Sequence, residues 1–143
     1  MFGADPDAVL FCCTMNSIRS AMAEGILKSL KGTKIYVDSA GARKGELDGF
    51  MVEVMSEIGI DMSNHNPKTF DEMEDSYFDL IVALSPEAQH HAVEMTRTMA
   101  CDVEFWNTFD PSIVEGSRDI RLDAYRQVRD QLRKRITTQF GDL

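Results

Sequence analysis

Short apolar segments alternate along the chain with longer stretches in which apolar residues recur every three or four positions. The short segments are too brief for helices and are typical of buried strands. They cover residues 8–13, 34–38, 78–84 and 101–106. The helical periodicity covers residues 20–31, 50–58, 86–99 and 122–136, and a short acidic helix is predicted over 68–75. Strands and helices are therefore expected to alternate along almost the whole chain.

This alternation predicts an α/β domain in which a parallel sheet carries helices on both faces. Two segments, Ala8–Cys13 and Phe78–Leu84, are almost continuously apolar, as strands buried on both faces are. Gly32 is predicted to end the first helix in a left-handed conformation, and Ser85 with Pro86 is predicted to begin a later one. In such sheets ligands bind beyond the carboxyl ends of the strands, where the strand order reverses.

The composition limits the classes of partner. With 143 residues, 43% of them apolar, the chain is long enough for one globular domain over residues 1–143. Its net charge of −9 disfavours nucleic acids and anionic membranes as partners. No apolar run approaches membrane-spanning length, and the N-terminus lacks the basic and apolar parts of a signal peptide. We therefore expect a cytoplasmic protein.

The cysteines and histidines indicate neither disulfides nor a metal. Cys12, Cys13 and Cys101 do not form a disulfide framework or a metal-ligand pattern, which fits a reducing compartment. Cys12 is expected to point into the core. The three histidines lack the spacing of zinc or facial-triad ligands; they are His65, His90 and His91. We expect no metal and no cofactor.

The junction between the first strand and the first helix carries the candidate chemistry. Cys13 ends the apolar strand, and Arg19 opens the helical stretch six residues later. A loop between a buried strand and a helix N-terminus directs free backbone N–H groups inward, and the helix dipole adds positive charge, so the loop can hold an oxyanion. The residues predicted to bind it are Thr14, Met15, Asn16, Ser17, Ile18, Arg19 and Ser20.

Cys13 and Arg19 indicate what the oxyanion undergoes. Helix N-termini and nearby cations favour the thiolate, so Cys13 is expected to ionise more readily than a free thiol and to act as a nucleophile. The planar guanidinium of Arg19 can hold two oxygens of a tetrahedral anion, which suits a phosphoryl group in transfer. Ser20 is placed to donate its hydroxyl to the thiolate.

The segment from Val9 to Glu24 resembles the N-terminal signature of the low-molecular-weight protein tyrosine phosphatases and of the arsenate reductases with the same fold. The resemblance spans nearly the whole chain. It implies a three-layer α/β structure with a four-stranded parallel sheet in the order 2-1-3-4 and helices on both faces. It also implies that Ser39 hydrogen-bonds Asn16 and so supports the phosphate loop.

Thiolate attack on a phosphomonoester releases an alkoxide or phenolate, and this release is slow unless the leaving oxygen is protonated. A positioned acid contributes roughly a hundred- to ten-thousand-fold in rate. Asp110, followed by Pro111 in a loop after the last strand, is the candidate and resembles the Asp-Pro of the family's acid loop. Asp110 would protonate the leaving group and then activate the water that hydrolyses the phosphocysteine.

Several positions depart from the family pattern. Ile18 stands where many members carry a second cysteine before the arginine, and residues 85–92 contain no cysteine, so intramolecular arsenate reduction is not supported. The loop at residues 39–41 lacks the tryptophan, and the segment at Asp110 lacks the tyrosines, that flank a phosphotyrosine ring in the phosphatases. In these details the chain is closer to the reductases. Met15 replaces a common glycine, which requires a negative φ at that position.

Three functions follow from these residues. The first is a cysteine-dependent phosphomonoesterase of the protein tyrosine phosphatase type, acting on a phosphotyrosine protein or a small aryl phosphate. The second is an arsenate reductase that uses an external thiol, glutathione or mycothiol, with a glutaredoxin-like partner. The third is a catalytically silent module that binds phosphate or a phosphoprotein.

The remaining polar residues are expected to have structural or solvent-facing roles. Trp106 is expected to pack in the core. Ser63 followed by His65 resembles a motif of the family, but a loop residue without a role is the favoured interpretation of His65. Arg43 and Lys44 either border the cleft or are solvated, and solvation is the favoured interpretation. A solvated helix face is predicted for four arginines, namely Arg126, Arg129, Arg133 and Arg135.

Overall fold

A four-stranded parallel sheet forms the centre of the computed structural model, which describes residues 5–73 and 77–141. The strands are β1 (Ala8–Cys13), β2 (Tyr36–Gly41), β3 (Leu80–Ala83) and β4 (Asp102–Phe105). Their order in the sheet is β2-β1-β3-β4, and every neighbouring pair is parallel. The implied order 2-1-3-4 is therefore confirmed.

Four α-helices cover the two faces of this sheet. They are α1 (Arg19–Lys31), α2 (Gly49–Ser56), α3 (Pro86–Met95) and α4 (Arg118–Phe140). Helices α1 and α4 pack together on one face, with α2 against α4, and α3 covers the other face. The three-layer α/β architecture is confirmed. No helix within residues 5–73 and 77–141 is both long and apolar enough to cross a membrane.

The side chains of β1 alternate between the two cores, as the twofold period of a strand requires. Val9, Phe11 and Cys13 lie in the core shared with α1 and α4. Leu10 and Cys12 lie in the smaller core under α3, where Cys12 Sγ is 3.7 Å from the Val82 carbonyl oxygen. The two adjacent cysteines therefore face opposite sides of the sheet.

Element boundaries differ from the predictions at several ends. β2 begins at Tyr36 and continues through Gly41, because Ser39 and Ala40 are buried and pair with β1. Helix α3 ends at Met95, short of the predicted Met99. In place of the acidic helix predicted over 68–75, a single 3-10 turn covers Phe70–Glu72, and residues 74–76 lie outside the described ranges.

The glycine that follows α1 is not left-handed, whereas the glycine that follows α2 is. Gly32 follows α1 with φ −62° and ψ −17°, so the prediction of a left-handed stop is wrong there. The chain leaves α1 through a further right-handed turn in which the Gly32 amide still donates to the Lys28 carbonyl oxygen. Gly59, after α2, has φ +80°, a conformation that favours glycine.

The solvated face predicted for the α4 arginines is wrong for Arg129. Arg129 is buried, and its Nη1 donates to the Val54 carbonyl oxygen at 2.7 Å and to Glu57 Oε1 at 2.8 Å. Arg126 also binds Glu57, with Nη2 2.8 Å from Oε2. Hydrogen bonds from Arg126, which has the larger effect, and from Arg129 lower the pKa of Glu57 to about 2. These contacts join α4 to α2.

Candidate active site

The loop between β1 and α1 lies at the carboxyl edge of the sheet, where the strand order reverses. β1 leads through α1 to β2 on one side and pairs with β3 on the other, so the crossovers diverge at this point. The loop contains Thr14 to Ile18, and α1 begins at Arg19. The sheet topology thus places the Cys13 loop where ligands bind in doubly wound folds.

Three hydrogen-bond donors surround the sulfur of Cys13. The backbone N–H of Asn16 lies 3.3 Å from Sγ, the N–H of Ser20 lies 3.4 Å away, and Ser20 Oγ lies 2.9 Å away. Cys13 is only 2% exposed. Donors converging on a sulfur favour its anionic form, because each donates to negative charge in a site with little water.

A chain of hydrogen bonds behind the loop orients the Ser20 hydroxyl. The Ser39 hydroxyl donates to Glu24 Oε1, so Ser39 Oγ is free to accept from Asn16 Nδ2 at 2.8 Å. The second hydrogen of Asn16 Nδ2 is donated to Ser20 Oγ, also at 2.8 Å. Because Ser20 Oγ accepts there, its own proton is directed to Cys13 Sγ. The implied Ser39–Asn16 contact is present.

Asn16 has an unusual backbone conformation that shapes the loop. Its φ is +58°, and it is the only non-glycine residue with positive φ in the described part of the chain. Asparagine tolerates this conformation well, and its Oδ1 accepts from the Lys68 N–H at 3.0 Å. Met15 does not have a positive φ, so methionine is compatible with that position.

The backbone at the end of β2 and in the segment after it approaches the loop closely. A Cβ added at Gly41 would lie 2.7 Å from the Asn16 nitrogen, and one at Gly45 would lie 2.4 Å from the Met15 carbonyl oxygen. Only glycine permits these approaches.

Arg19 connects the Cys13 loop to the segment after β4. The residue is buried, and its Nη1 donates to the Thr108 carbonyl oxygen at 3.0 Å. Its Nη2 lies 3.4 Å from Thr14 Oγ1, and Thr14 Oγ1 in turn donates to Ser85 Oγ at 3.1 Å. The guanidinium is therefore held in place from two sides.

Asp110 faces the same guanidinium. Its Oδ2 is 4.0 Å from Arg19 Nη2, while Oδ1 accepts from the N–H and hydroxyl of Ser112 at 3.0 and 2.7 Å. These bonds cap a 3-10 turn, Pro111–Ile113, that holds the carboxylate at the mouth of the site. The structure thus brings Cys13, Arg19 and Asp110 together.

A cavity of about 340 Å³ opens above the loop. Its floor contains Cys13 and Arg19, and Asp110 stands at one wall. Apolar and acidic side chains from two segments complete it: Met15, Ile18, Leu47, Glu46 and Asp48. The arrangement can enclose a tetrahedral oxyanion beside a nucleophilic sulfur, with a carboxyl group at the opening.

Several supporting residues were missed at the sequence level. His65, expected to have no role, has Nε2 2.8 Å from the Asn16 carbonyl oxygen and Nδ1 4.0 Å from Glu24 Oε1. The one signal for His65 was its position two residues after Ser63, which resembles a family motif. Glu24 had one, because it follows Ser20 by four residues on α1 and therefore shares its helix face.

Asp48 and Tyr125 form a hydrogen bond that the sequence did not indicate. Asp48 caps α2 through a 3.0 Å bond from the Met51 N–H, and its Oδ2 accepts the Tyr125 hydroxyl at 2.9 Å. Burial and this bond to Asp48 raise the pKa of Tyr125. The contact connects α4 to the wall of the cavity.

Other candidate residues lie away from the cavity. The solvated interpretation of Arg43 and Lys44 agrees with their exposed ion pairs to Glu87 and Glu72. Trp106 is buried in the core as expected. No cluster of three or more histidine, cysteine, aspartate or glutamate residues suited to a metal ion occurs within residues 5–73 and 77–141.

The other two cysteines are far from the Cys13 sulfur. Cys12 faces the opposite side of the sheet, and burial raises the pKa of its thiol. Cys101 precedes β4, whereas Cys13 ends β1, so in a parallel sheet the two lie at opposite edges. Burial also raises the pKa of Cys101. Neither can pair with Cys13 in this fold.

The parallel 2-1-3-4 sheet, with cysteine and arginine six residues apart in the loop after β1, defines the class of small cysteine-dependent phosphatases and their relatives. The chain belongs to the low molecular weight phosphotyrosine protein phosphatase family, whose model matches residues 8–140. The resemblance seen in the sequence is confirmed.

The relatives carry two kinds of name. The chain is 36% identical over 132 residues to an arsenate reductase of Halalkalibacterium halodurans, covering 91% of this chain and 92% of the relative. Its fold is similar to that of a low molecular weight protein tyrosine phosphatase from T. tengcongensis, with TM-score 0.74, 27% identity, and 89% and 92% of the two chains covered. A solved arsenate reductase in a phosphate-binding state gives TM-score 0.70 and 26% identity over 94% and 96%.

Proposed function

We propose that this protein is a cysteine-dependent phosphomonoesterase of the protein tyrosine phosphatase type. The observation that carries the proposal is the surrounding of one sulfur: Cys13 Sγ has three donors within 3.4 Å and shares a cavity with Arg19 and Asp110. A nucleophile, an anion-binding guanidinium and a carboxyl group are the parts that phosphate ester cleavage needs.

In the first step the backbone N–H groups of the loop and Arg19 bind the phosphoryl oxygens. The Cys13 thiolate attacks phosphorus, so an S–P bond forms while the bond from phosphorus to the leaving oxygen breaks. Asp110, in its protonated form, gives its proton to that oxygen. The products of the step are a phosphocysteine and the free alcohol or phenol.

In the second step Asp110, now a carboxylate, takes a proton from water as the water attacks the phosphocysteine. The P–S bond breaks, inorganic phosphate leaves and the thiolate is regenerated. The Ser20 hydroxyl, 2.9 Å from Sγ, stabilises the departing negative sulfur. Ser20 therefore serves both half-reactions.

The walls of the cavity favour an aryl leaving group. Met15 and Leu47 are 41% and 42% exposed and present apolar surface above the loop, where a phenyl ring would contact them. Phosphotyrosine in a protein, or a small aryl phosphate, has the matching chemistry. The similarity to the protein tyrosine phosphatase from T. tengcongensis supports this substrate class.

Hydrolysis of p-nitrophenyl phosphate tests the proposal. Cys13→Ser should lower kcat/KM by at least about a thousandfold, because the serine hydroxyl is a far weaker nucleophile in a site without a base for it. Cys101→Ser is the matched control, since it changes the same atom at the opposite edge of the sheet, and it should retain full activity. Equal rates for wild type and Cys13→Ser would refute the mechanism.

The names of the curated relatives favour a second candidate, an arsenate reductase. Reduction of arsenate to arsenite needs two electrons, and neither Cys12 nor Cys101 can supply them by pairing with Cys13. An external thiol such as glutathione or mycothiol, with a glutaredoxin-like partner, would therefore become oxidised to a disulfide instead.

A coupled assay separates the two candidates. Arsenate-dependent oxidation of NADPH is followed with glutathione, glutathione reductase and glutaredoxin present, and arsenite is measured directly. Sustained arsenite production that survives the double change Cys12→Ser and Cys101→Ser would identify a reductase using external thiol. Hydrolysis of aryl phosphate without arsenite production would identify the phosphatase.

A further inference from the structure

A second concavity adjoins the Cys13 cavity and is not used by the proposed chemistry. It has a volume of about 670 Å³ and lies between the segment after β4 and one side of α4. We call it the α4 groove, and define it by Phe109, Val114, Ile120, Asp123, Ala124 and Val128. Most of this surface is apolar.

Two apolar side chains of the α4 groove are open to solvent. Phe109 is 52% exposed and Ile120 is 55% exposed. A contiguous apolar surface of this kind on a small protein marks an interaction site more often than isolated exposed residues do. No other part of residues 5–73 and 77–141 covers these two side chains, so their exposure requires another explanation.

The position of the groove indicates its occupant. Phe109 and Asp110 are consecutive, yet Phe109 lines the groove while Asp110 lines the Cys13 cavity, so one short segment forms the wall between them. Helix α4 borders both sites, because Tyr125 binds Asp48 at the cavity while its neighbour Ala124 lies in the groove. A single short segment therefore separates the Cys13 cavity from the α4 groove, so one extended polypeptide can contact both.

The charges near the two sites restrict the composition of that polypeptide. Glu46, at the cavity wall, is exposed and has no ion-pair partner within residues 5–73 and 77–141. The chain as a whole carries a net charge of −9. An acidic segment would be repelled, whereas a basic residue beside the phosphorylated one would be attracted.

We propose that the α4 groove binds an apolar side chain of a phosphoprotein substrate, a few residues from the phosphorylated residue, in a segment of neutral or basic charge. The inference rests on the proposed phosphatase function and makes a protein, not a small aryl phosphate, the favoured substrate. Anchoring outside the cavity adds binding energy at a site that does not touch the reacting atoms.

A peptide series tests the groove directly. One leucine is placed in turn at each position from two to six residues before or after phosphotyrosine, in a background of alanine and lysine. We expect kcat/KM to rise about tenfold at one position, as for partial burial of one leucine side chain. Ile120→Ser should abolish that rise and leave p-nitrophenyl phosphate hydrolysis unchanged.

Val93→Ser is the matched control, because Val93 is a β-branched residue on α3 that is 50% exposed and lies outside both sites. It should preserve the leucine preference. Thermal unfolding confirms that both variants are folded. Loss of the preference in both variants, or a wild type indifferent to leucine position, overturns the inference.

Three further outcomes separate the inference from its alternatives. If p-nitrophenyl phosphate is hydrolysed normally and no peptide position matters, the groove proposal fails while the proposed function stands. If p-nitrophenyl phosphate is not hydrolysed at all, the proposed function fails. A wild-type dimer in sedimentation that Ile120→Ser converts to monomer would assign the groove to a second copy of this chain and overturn the proposal.

Discussion

The Cys13 sulfur is surrounded by groups whose protons are already directed towards it. Glu24, Ser39 and Asn16 determine the direction of each hydrogen bond behind the loop, so that Ser20 donates to Sγ. Such preorganisation favours negative charge on sulfur without reorganisation during the reaction. At the residue scale, the proposed nucleophile is held by a polar network that runs from Ser20 through Asn16 and Ser39 to Glu24.

Removing the Ser20 hydroxyl should weaken the stabilisation of negative charge on the Cys13 sulfur. Ser20→Ala deletes the 2.9 Å donor, and a hydrogen bond to a charged group is worth about 1.5–3 kcal/mol. We expect kcat for p-nitrophenyl phosphate to fall about tenfold or more, because the sulfur loses a donor that stabilises its negative charge in both half-reactions.

Ser29→Ala is the control for that change, since Ser29 is on the same helix and donates only to the Ile26 carbonyl oxygen. Its kcat should match that of the wild type. An unchanged kcat in Ser20→Ala would show that the hydroxyl does not stabilise negative charge on Sγ.

Asp110 has a prediction of its own. Asp110→Asn removes the proton donor but keeps a group able to accept from Ser112. We expect a loss of roughly a hundred- to ten-thousand-fold for esters with poor leaving groups such as phenyl phosphate, and a much smaller loss for p-nitrophenyl phosphate. A Brønsted plot over substituted phenyl phosphates measures the difference, and equal losses across the series would reassign the acid.

At the scale of elements, α4 is tied to α2 by contacts that also support the cavity. Arg129 reaches the carbonyl oxygen of Val54, the Tyr125 hydroxyl binds Asp48 at the N-terminus of α2, and the α4 groove lies on another side of the same helix. The position of α4 therefore affects both the cavity wall and the groove.

The Arg129 contacts should contribute measurably to stability. Arg129→Ala removes a donor from the Val54 carbonyl oxygen and from Glu57, which keeps its bonds from Arg126. The loss of such contacts costs about 1–3 kcal/mol. Urea unfolding measures the loss in free energy of unfolding. Arg133→Ala, an exposed change on the same helix, should cost less than about 0.5 kcal/mol.

The same network predicts a pH dependence of stability. The folded-state pKa of Glu57 is lowered to about 2 by Arg126 and Arg129, so its stabilising effect is complete above the unfolded-state pKa and is lost as the pH falls through the folded one. The difference in free energy of unfolding between wild type and Glu57→Gln should therefore shrink between about pH 4.5 and about pH 2. A constant difference across this range would contradict the role given to Glu57.

At the scale of the whole molecule, the parallel sheet separates the three cysteines. Cys12 and Cys13 face opposite cores, and Cys101 lies at the opposite edge from Cys13. Treatment of the folded protein with hydrogen peroxide should therefore inactivate Cys13 by oxidation of its own sulfur and form no intramolecular disulfide. Mass spectrometry of the non-reduced protein shows whether a disulfide has formed. A Cys13–Cys12 or Cys13–Cys101 disulfide would contradict this topology.

Local patterns predicted most of the architecture because they depend on neighbours in sequence. The apolar segments located all four strands, and the alternation of elements predicted the parallel α/β class. The boundaries of β2 and α3 were less accurate, because pairing with β1 and packing under the sheet decide where those elements end. Gly32 shows the same limit, since right-handed and left-handed helix ends both accept glycine.

The sequence by itself determined the order of the elements, the loop between Cys13 and Arg19 and the family, because each follows from short-range spacing. Only the tertiary structure decided that His65 contacts the Asn16 carbonyl oxygen, that Tyr125 binds Asp48, and that Arg129 is buried. These contacts join residues more than forty-five positions apart, and their geometry depends on how the helices pack across the sheet. No local pattern carries that information.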